Sequence, residues 1–168
     1  HLAAVACAPD APWARLEAEA AARCPSAALR AASRSQGRGL LRVAAAIWPG
    51  AGLDELREAS LGAPLWPVAL GAVAAAAGLS PLDAATAAGH GCVSGAAWAA
   101  VRLLGLDPFA VTAALAALCP VIDRQAAEAA AGAISASADL SRLPASGGPV
   151  VEVAAEGHAR WEVRLFAS

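Results

Sequence analysis

The sequence predicts an all-α fold, a helical bundle of about five or six helices with an extended C-terminal tail. Three observations carry this reading. Apolar positions recur at intervals of three and four over long stretches, helix start and stop signals punctuate them at Ser80-Pro81, Gly105 and Asp107-Pro108, and period-two alternation is confined to the last residues. At 168 residues the chain has the size of one domain, and residues 1–168 read as a single helical unit.

From Trp13 to Arg23 the stretch WARLEAEAAAR forms an exposed helix, in which Glu19 stands four residues before Arg23 and pairs with it on one face. Pro25-Ser26 breaks it. A second helix runs from Ala27 to Trp48 and stops at Pro49-Gly50, and the following AGLDELREASLGAP reads as a connection with one helical turn. A third helix occupies Pro67 to Ala77 and closes at Gly78. Ser80-Pro81-Leu82-Asp83 then supplies an N-cap hydroxyl, a proline at the first helical position and a carboxylate in the first turn. That helix runs to Leu104. Its positions Leu82, Ala85, Gly89, Cys92, Ala96, Ala99 and Leu103 make a seam with small residues in the middle, where another helix backbone approaches closely. The fifth helix opens at Asp107-Pro108 with Val111, Leu115, Leu118 and Ile122 as its apolar stripe, kinks near Pro120 and ends by Gly132. A short helix near Ser137 to Arg142 precedes a joint, LPASGGP. In the tail, Trp161, Val163 and Leu165 alternate with Arg160, Glu162 and Arg164, which predicts an extended segment that either pairs with Val150–Val153 or is covered by a partner.

Composition excludes several chemistries. Hydrophobic residues make up 58% and nearly a third of the chain is alanine, while methionine, tyrosine, lysine and asparagine are absent, so all 12 basic residues are arginine. A phosphate-loop lysine, a Schiff-base lysine and a serine–lysine dyad are therefore excluded. The start His1-Leu2, with no methionine, leads us to expect that the natural start is missing. A net charge of -2 and a pI of about 5.9 provide no general basic field for nucleic acid or an anionic membrane. Cys7, Cys24, Cys92 and Cys119 are too far apart for a paired metal motif and suit the reduced thiols of a cytoplasmic protein. The mean hydropathy of +0.54 and the uncharged stretches Ala59–Leu82 and Ala84–Val101 raise the question of a membrane span. Their prolines, glycines and alanine bulk favour a buried helix instead.

No catalytic constellation stands out. Gly91-Cys92-Val93-Ser94-Gly95 lacks the spacing of a nucleophile elbow. His90 and Cys92, two apart on a helix, point to different faces, and Cys119 stands alone beside Pro120. A small metal-binding or enzymatic helical protein using His90, Cys92 or Cys119 is one alternative reading, and a membrane-embedded helical protein is another. No resident metal or cofactor is called for.

Two segments rise above this background. Arg30, Arg34, Arg38 and Arg42 recur every four residues, so four guanidiniums lie in one row along a helix that also contains Gly37 and Gly39. Like-charge repulsion of a few tenths of a kcal/mol per pair, with roughly 1 kcal/mol for each glycine, predicts a segment weakly ordered alone. Docking on an acidic surface would order it; acidic partners within the chain, or a bound phosphate, are the other options. The second segment is the tail from His158 to Phe166, which exposes Trp161 and Phe166 unless something covers them.

The run Ser33-Arg34-Ser35-Gln36-Gly37-Arg38-Gly39-Leu40-Leu41-Arg42, followed by Ile47-Trp48-Pro49, resembles the central region of the urease accessory protein UreF family in its actinobacterial form. The ending Arg164-Leu165-Phe166-Ala167-Ser168 resembles that family's terminal R-L-F-x-S, and the helices between match it in order and texture. The resemblance covers Arg30 to Ser168. The family's leucine-proline-threonine-glycine segment and histidine-serine-glycine-glycine motif do not occur in the sequence, which implies a domain lacking its N-terminal helices. It further implies an all-α, non-enzymatic chaperone that binds UreD (also called UreH), recruits the GTPase UreG and engages apo-urease during nickel insertion, as a homodimer within that assembly. Nickel and GTP would be handled by the partners, with no nucleic acid or membrane involved. Carried onto this chain, the partner-binding residues are Arg34, Gln36, Gly37, Arg38 and Arg42 in the first segment and Arg164, Leu165 and Phe166 in the second.

Overall fold

The computed structural model describes residues 1–136, 139–145 and 147–161. The described residues form eight α-helices and one 3-10 turn, more than the five or six expected. In chain order these are α1 (Leu2–Ala6), α2 (Trp13–Ala22), α3 (Ala27–Ile47), α4 (Ala51–Ala59), α5 (Trp66–Ala76), α6 (Pro81–Leu104), α7 (Pro108–Ala136), the 3-10 turn Leu140–Arg142 and α8 (Pro149–His158).

Two of the extra helices lie where the sequence offers only weak signals. The stretch read as a connection is α4, nine residues long, with Leu53 and Leu56 buried and an Asp54–Arg57 pair on its outer side. Near the other end, Val150–Val153 falls inside α8, so the expected strand pairing of these residues is not formed. Gly148-Pro149 explains the difference: proline at the first helical position and Glu152 in the first turn start a helix. Trp161 is exposed beside His158, their rings 5.1 Å apart edge to face. The rest of the expected extended tail, 162–168, lies outside the described residues.

The α5 helix is apolar on every side and sits at the centre, packed against α1, α2, α3, α4 and α6. Glycine permits two of these contacts. A Cβ at Gly71 would lie 2.3 Å from the Ala3 carbonyl oxygen, so α1 rests directly on α5. A Cβ at Gly37 would lie 2.1 Å from the Pro64 carbonyl oxygen, so α3 presses on the backbone that leads into α5. Leu16, Leu41, Leu56, Leu65, Val68 and Leu140 fill the core between these helices.

The α6 helix begins with a complete capping box, in which Ser80 and Asp83 satisfy each other's backbone N–H, and it ends at Gly105 with φ of 64°. It pairs lengthwise with α7, and Gly89 meets Ile122 across the contact. The expected seam is only partly buried: Ala85 is covered, whereas Leu82, Cys92, Ala96 and Leu103 are exposed. The stripe on α7 behaves the same way, with Ile122 buried and Leu118 exposed. The reason is geometric. The hairpin projects beyond the α5-centred core, leaving Trp98, Leu104 and Phe109 uncovered near its tip. The α7 helix continues through Pro120 to Ala136.

Neither stretch flagged for membrane crossing is the one that qualifies. Ala59–Leu82 is divided by the turn between α4 and α5, and among the described residues Pro108–Ala133 of α7 is the one helical segment long and apolar enough to span a bilayer by length and composition.

Candidate partner-binding face

The α3 helix starts at Ser26, whose hydroxyl oxygen accepts the Leu29 N–H at 3.1 Å. Its inner face carries Ser33, Arg34, Gly37, Leu41 and Ala44. Ser33 Oγ accepts the Trp66 N–H at 2.9 Å and so ties α3 to the first turn of α5. This inner face explains why the arginine segment is helical from Ala27 to Ile47 in the chain alone, contrary to the weak order expected of it. Half of the arginine row is bonded within the chain, Arg34 to a carboxylate and Arg30 to backbone carbonyls.

Arg30 donates through Nη1 to the Cys24 and Pro25 carbonyls at 2.5 and 2.7 Å, closing the chain just after α2. Arg34 donates through Nη1 to Glu17 Oε2 at 3.0 Å and to the Ala63 carbonyl at 2.6 Å. Glu17 is buried, and its other oxygen accepts the Leu65 N–H at 2.8 Å, so one carboxylate joins α2, α3 and the entry to α5. Gly37 is buried against Pro64. These residues hold the face in place.

The outer half of the row differs. Arg38 and Arg42 are exposed, one turn apart, and among the described residues no acidic side chain pairs with them. Gln36 is exposed on another side of the helix, where Val43 and Ile47 are also 54% and 56% exposed. The result is an exposed pair of guanidiniums on one flank of α3, with exposed apolar side chains on another side of the same helix.

The last helix clips onto the start of this face. Glu156 of α8 accepts the Ser26 hydroxyl at 2.7 Å and the Ala28 N–H at 2.9 Å, and these two donors hold its carboxyl below the ordinary range. None of α8's residues is buried, and Val150, Val151 and Val153 are exposed. Glu17 and Glu156 are the functional supports that sequence reasoning missed. Neither spacing nor motif links Glu156 to Ser26, which lie 130 positions apart. Arg164, Leu165 and Phe166 lie outside the described residues.

His90, Cys92 and Cys119 are exposed on α6 and α7. Among the described residues no three His, Cys, Asp or Glu side chains gather into a cation site. Cys7 is the buried thiol; it donates to the Leu79 carbonyl at 3.3 Å, and burial, followed by the nearby Asp83 carboxylate, pushes its ionisation up.

The UreF family profile matches residues 1–119 of the chain, which takes in α1 to α6 and all of the arginine face. The chain belongs to the UreF family. Curated relatives named urease accessory protein UreF include those of Mycobacterium sp. strain JLS, 43% identical over 150 residues, and Mycolicibacterium vanbaalenii, 44% identical over 152. That of Mycobacterium marinum is 46% identical over 151 residues. These alignments cover 89%, 90% and 89% of the chain respectively, and in each the chain spans 64% of the relative's length. No solved structure matches. The profile reaches the start of the chain, whereas the motif resemblance began only at Arg30, because α1 and α2 carry no distinctive run of residues.

Proposed function

We propose that this chain is a urease-maturation scaffold without enzymatic activity, working in the cytoplasm as one UreF-like helical domain. It binds UreD (UreH), recruits UreG and sits on apo-urease, so that GTP hydrolysis by UreG is coupled to nickel insertion. Nickel and GTP are cargo and fuel held by the partners. Family membership supports the pathway. The observation that carries the binding role is the split arginine row: Arg38 and Arg42 are held one turn apart on α3, exposed and without an acidic partner in the described part of the chain. Two exposed guanidiniums one turn apart steer an acidic partner toward this flank of α3.

In this reading Gln36, Arg38 and Arg42 touch UreD, while Arg34 and Gly37 position them. Arg164, Leu165 and Phe166 form the second contact, reached from α8. Homodimerisation within the assembly would cover the exposed Trp98, Leu104 and Phe109 of the α6–α7 hairpin. Reconstitution tests the role. Apo-urease supplied with nickel, GTP, UreD and UreG should gain activity only when this chain is added, and the chain alone should not hydrolyse GTP. Activation without the chain, or GTP turnover by it, would overturn the proposal.

A further inference from the structure

A cavity of about 510 Å³ opens where the turn after α1, the end of α3 and the start of α4 converge; neither Arg38 nor Arg42 is among its lining residues. Its volume is in the range of ligand pockets, roughly 300–1,000 Å³. Buried Leu53 and Ala72 lie among its lining residues, together with the indoles of Trp13 and Trp48 and the carboxylates of Asp10 and Glu55. None of the lining residues is basic. Among the described residues, neither carboxylate is paired with a cation of the chain. Trp13 packs partly into the core, which gives that indole a fixed position.

Helix ends of both signs meet at the cavity. The α3 helix ends at Ile47 and the α5 helix at Ala76, and Trp48, Pro49, Ala75 and Ala76 border the cavity, so two helix C-termini bring their partial negative charge to it. The N-termini of α4 at Gly50–Gly52 and of α2 at Trp13 oppose them with two positive ends. The helix ends therefore balance, and the negative character comes from the two carboxylates of Asp10 and Glu55. Asp10 is held at φ of 55°, a left-handed conformation that aspartate tolerates better than most residues and that fixes where its side chain leaves the turn.

We propose that this cavity is a docking pocket for an arginine side chain presented by a partner protein. Carboxylates at the cavity bond a guanidinium through its fork of donors, and indoles offer aromatic faces on which the planar cation stacks. Lysine, a compact and strongly hydrated charge, uses the indoles less well. The cavity is larger than one side chain, so it also admits the residues flanking the arginine. The inference stands independently of the assignment to urease maturation.

The test uses the full chain and two small probes, N-acetyl-arginine amide and its uncharged isostere N-acetyl-citrulline amide, with indole N–H resonances followed by NMR. The arginine probe should shift the Trp13 and Trp48 signals saturably and leave Trp66 and Trp98 unmoved. The citrulline probe should bind at least about ten-fold more weakly, since it lacks the charge that strengthens the hydrogen bonds. The D10N/E55Q variant, altered only at exposed positions, should keep the wild-type spectrum elsewhere and bind the two probes alike. Equal binding of both probes by the wild-type chain, or no saturable shift of Trp13 and Trp48, would overturn the proposal.

Discussion

Glu17 and Arg34 form an ion pair of 3.0 Å between α2 and α3, in which the carboxylate is buried and also accepts the backbone N–H of Leu65. The guanidinium is about a third exposed, with a side-chain accessibility of 36%, so solvent shares in its stabilisation and the two partners are not equivalent. Arg34→Ala leaves a buried charge with one remaining donor and should cost about 2–3 kcal/mol, less than a fully buried pair. Glu17→Gln keeps an oxygen for Leu65 and leaves a hydrated arginine, and should cost about 1 kcal/mol. Urea unfolding of both variants and of the double variant checks this ordering, and the double variant should lose less than the sum.

Two glycines two positions apart in α3 should respond in opposite directions. Gly37→Ala drives a methyl group into the Pro64 carbonyl, at 2.1 Å before relaxation, and backbone must move to admit it. A loss of about 2–3 kcal/mol is expected from such overpacking. Gly39→Ala meets nothing within 4 Å and should raise stability by up to about 1 kcal/mol through helix propensity. Thermal unfolding of the pair separates a packing role for Gly37 from a role in partner contact alone.

The α8 attachment should depend on pH. Glu156 has its ionisation lowered from the ordinary value of 4.5 by the Ala28 N–H first and the Ser26 hydroxyl second. A carboxylate favoured in the folded state contributes stability above the unfolded value, and that contribution is lost as pH falls through the lowered folded value. The contact should therefore persist at neutral pH and release in acid. A carboxyl NMR titration of Glu156 should give a midpoint below 4.5, and Ser26→Ala should move it back toward 4.5. An unshifted midpoint in the unmodified chain would show that α8 is not held by this carboxylate.

Much of the fold is legible in the sequence because its punctuation is strong and local. Ser80-Pro81 with Asp83 starts α6, Gly105 stops it, and Pro49-Gly50 ends α3 as expected. What escapes local reading depends on distant residues. Leu53 and Leu56 anchor α4 by packing into the core, and its short run of helix formers is masked by the loop residues Pro49-Gly50 before it and Gly62 and Pro64 after it. The candidate site divides similarly. The four-residue spacing of Arg30, Arg34, Arg38 and Arg42 places them on one helix, but nothing local shows that Glu17 and the carbonyls of Cys24, Pro25 and Ala63 consume the first two. Repulsion within the row suggests disorder only while those partners are unknown.

In the proposed function the arginine row divides between a structural half, Arg30 and Arg34, and a binding half, Arg38 and Arg42. The most direct measurement compares Arg30→Ala/Arg34→Ala with Arg38→Ala/Arg42→Ala for two quantities, the thermal midpoint of the isolated chain and its affinity for UreD. The outer pair should keep the midpoint of the unmodified chain and bind UreD at least about ten-fold more weakly, the loss corresponding to roughly 1.4 kcal/mol. The inner pair should lower the midpoint by several degrees. Unchanged UreD affinity in the Arg38→Ala/Arg42→Ala chain would contradict the account.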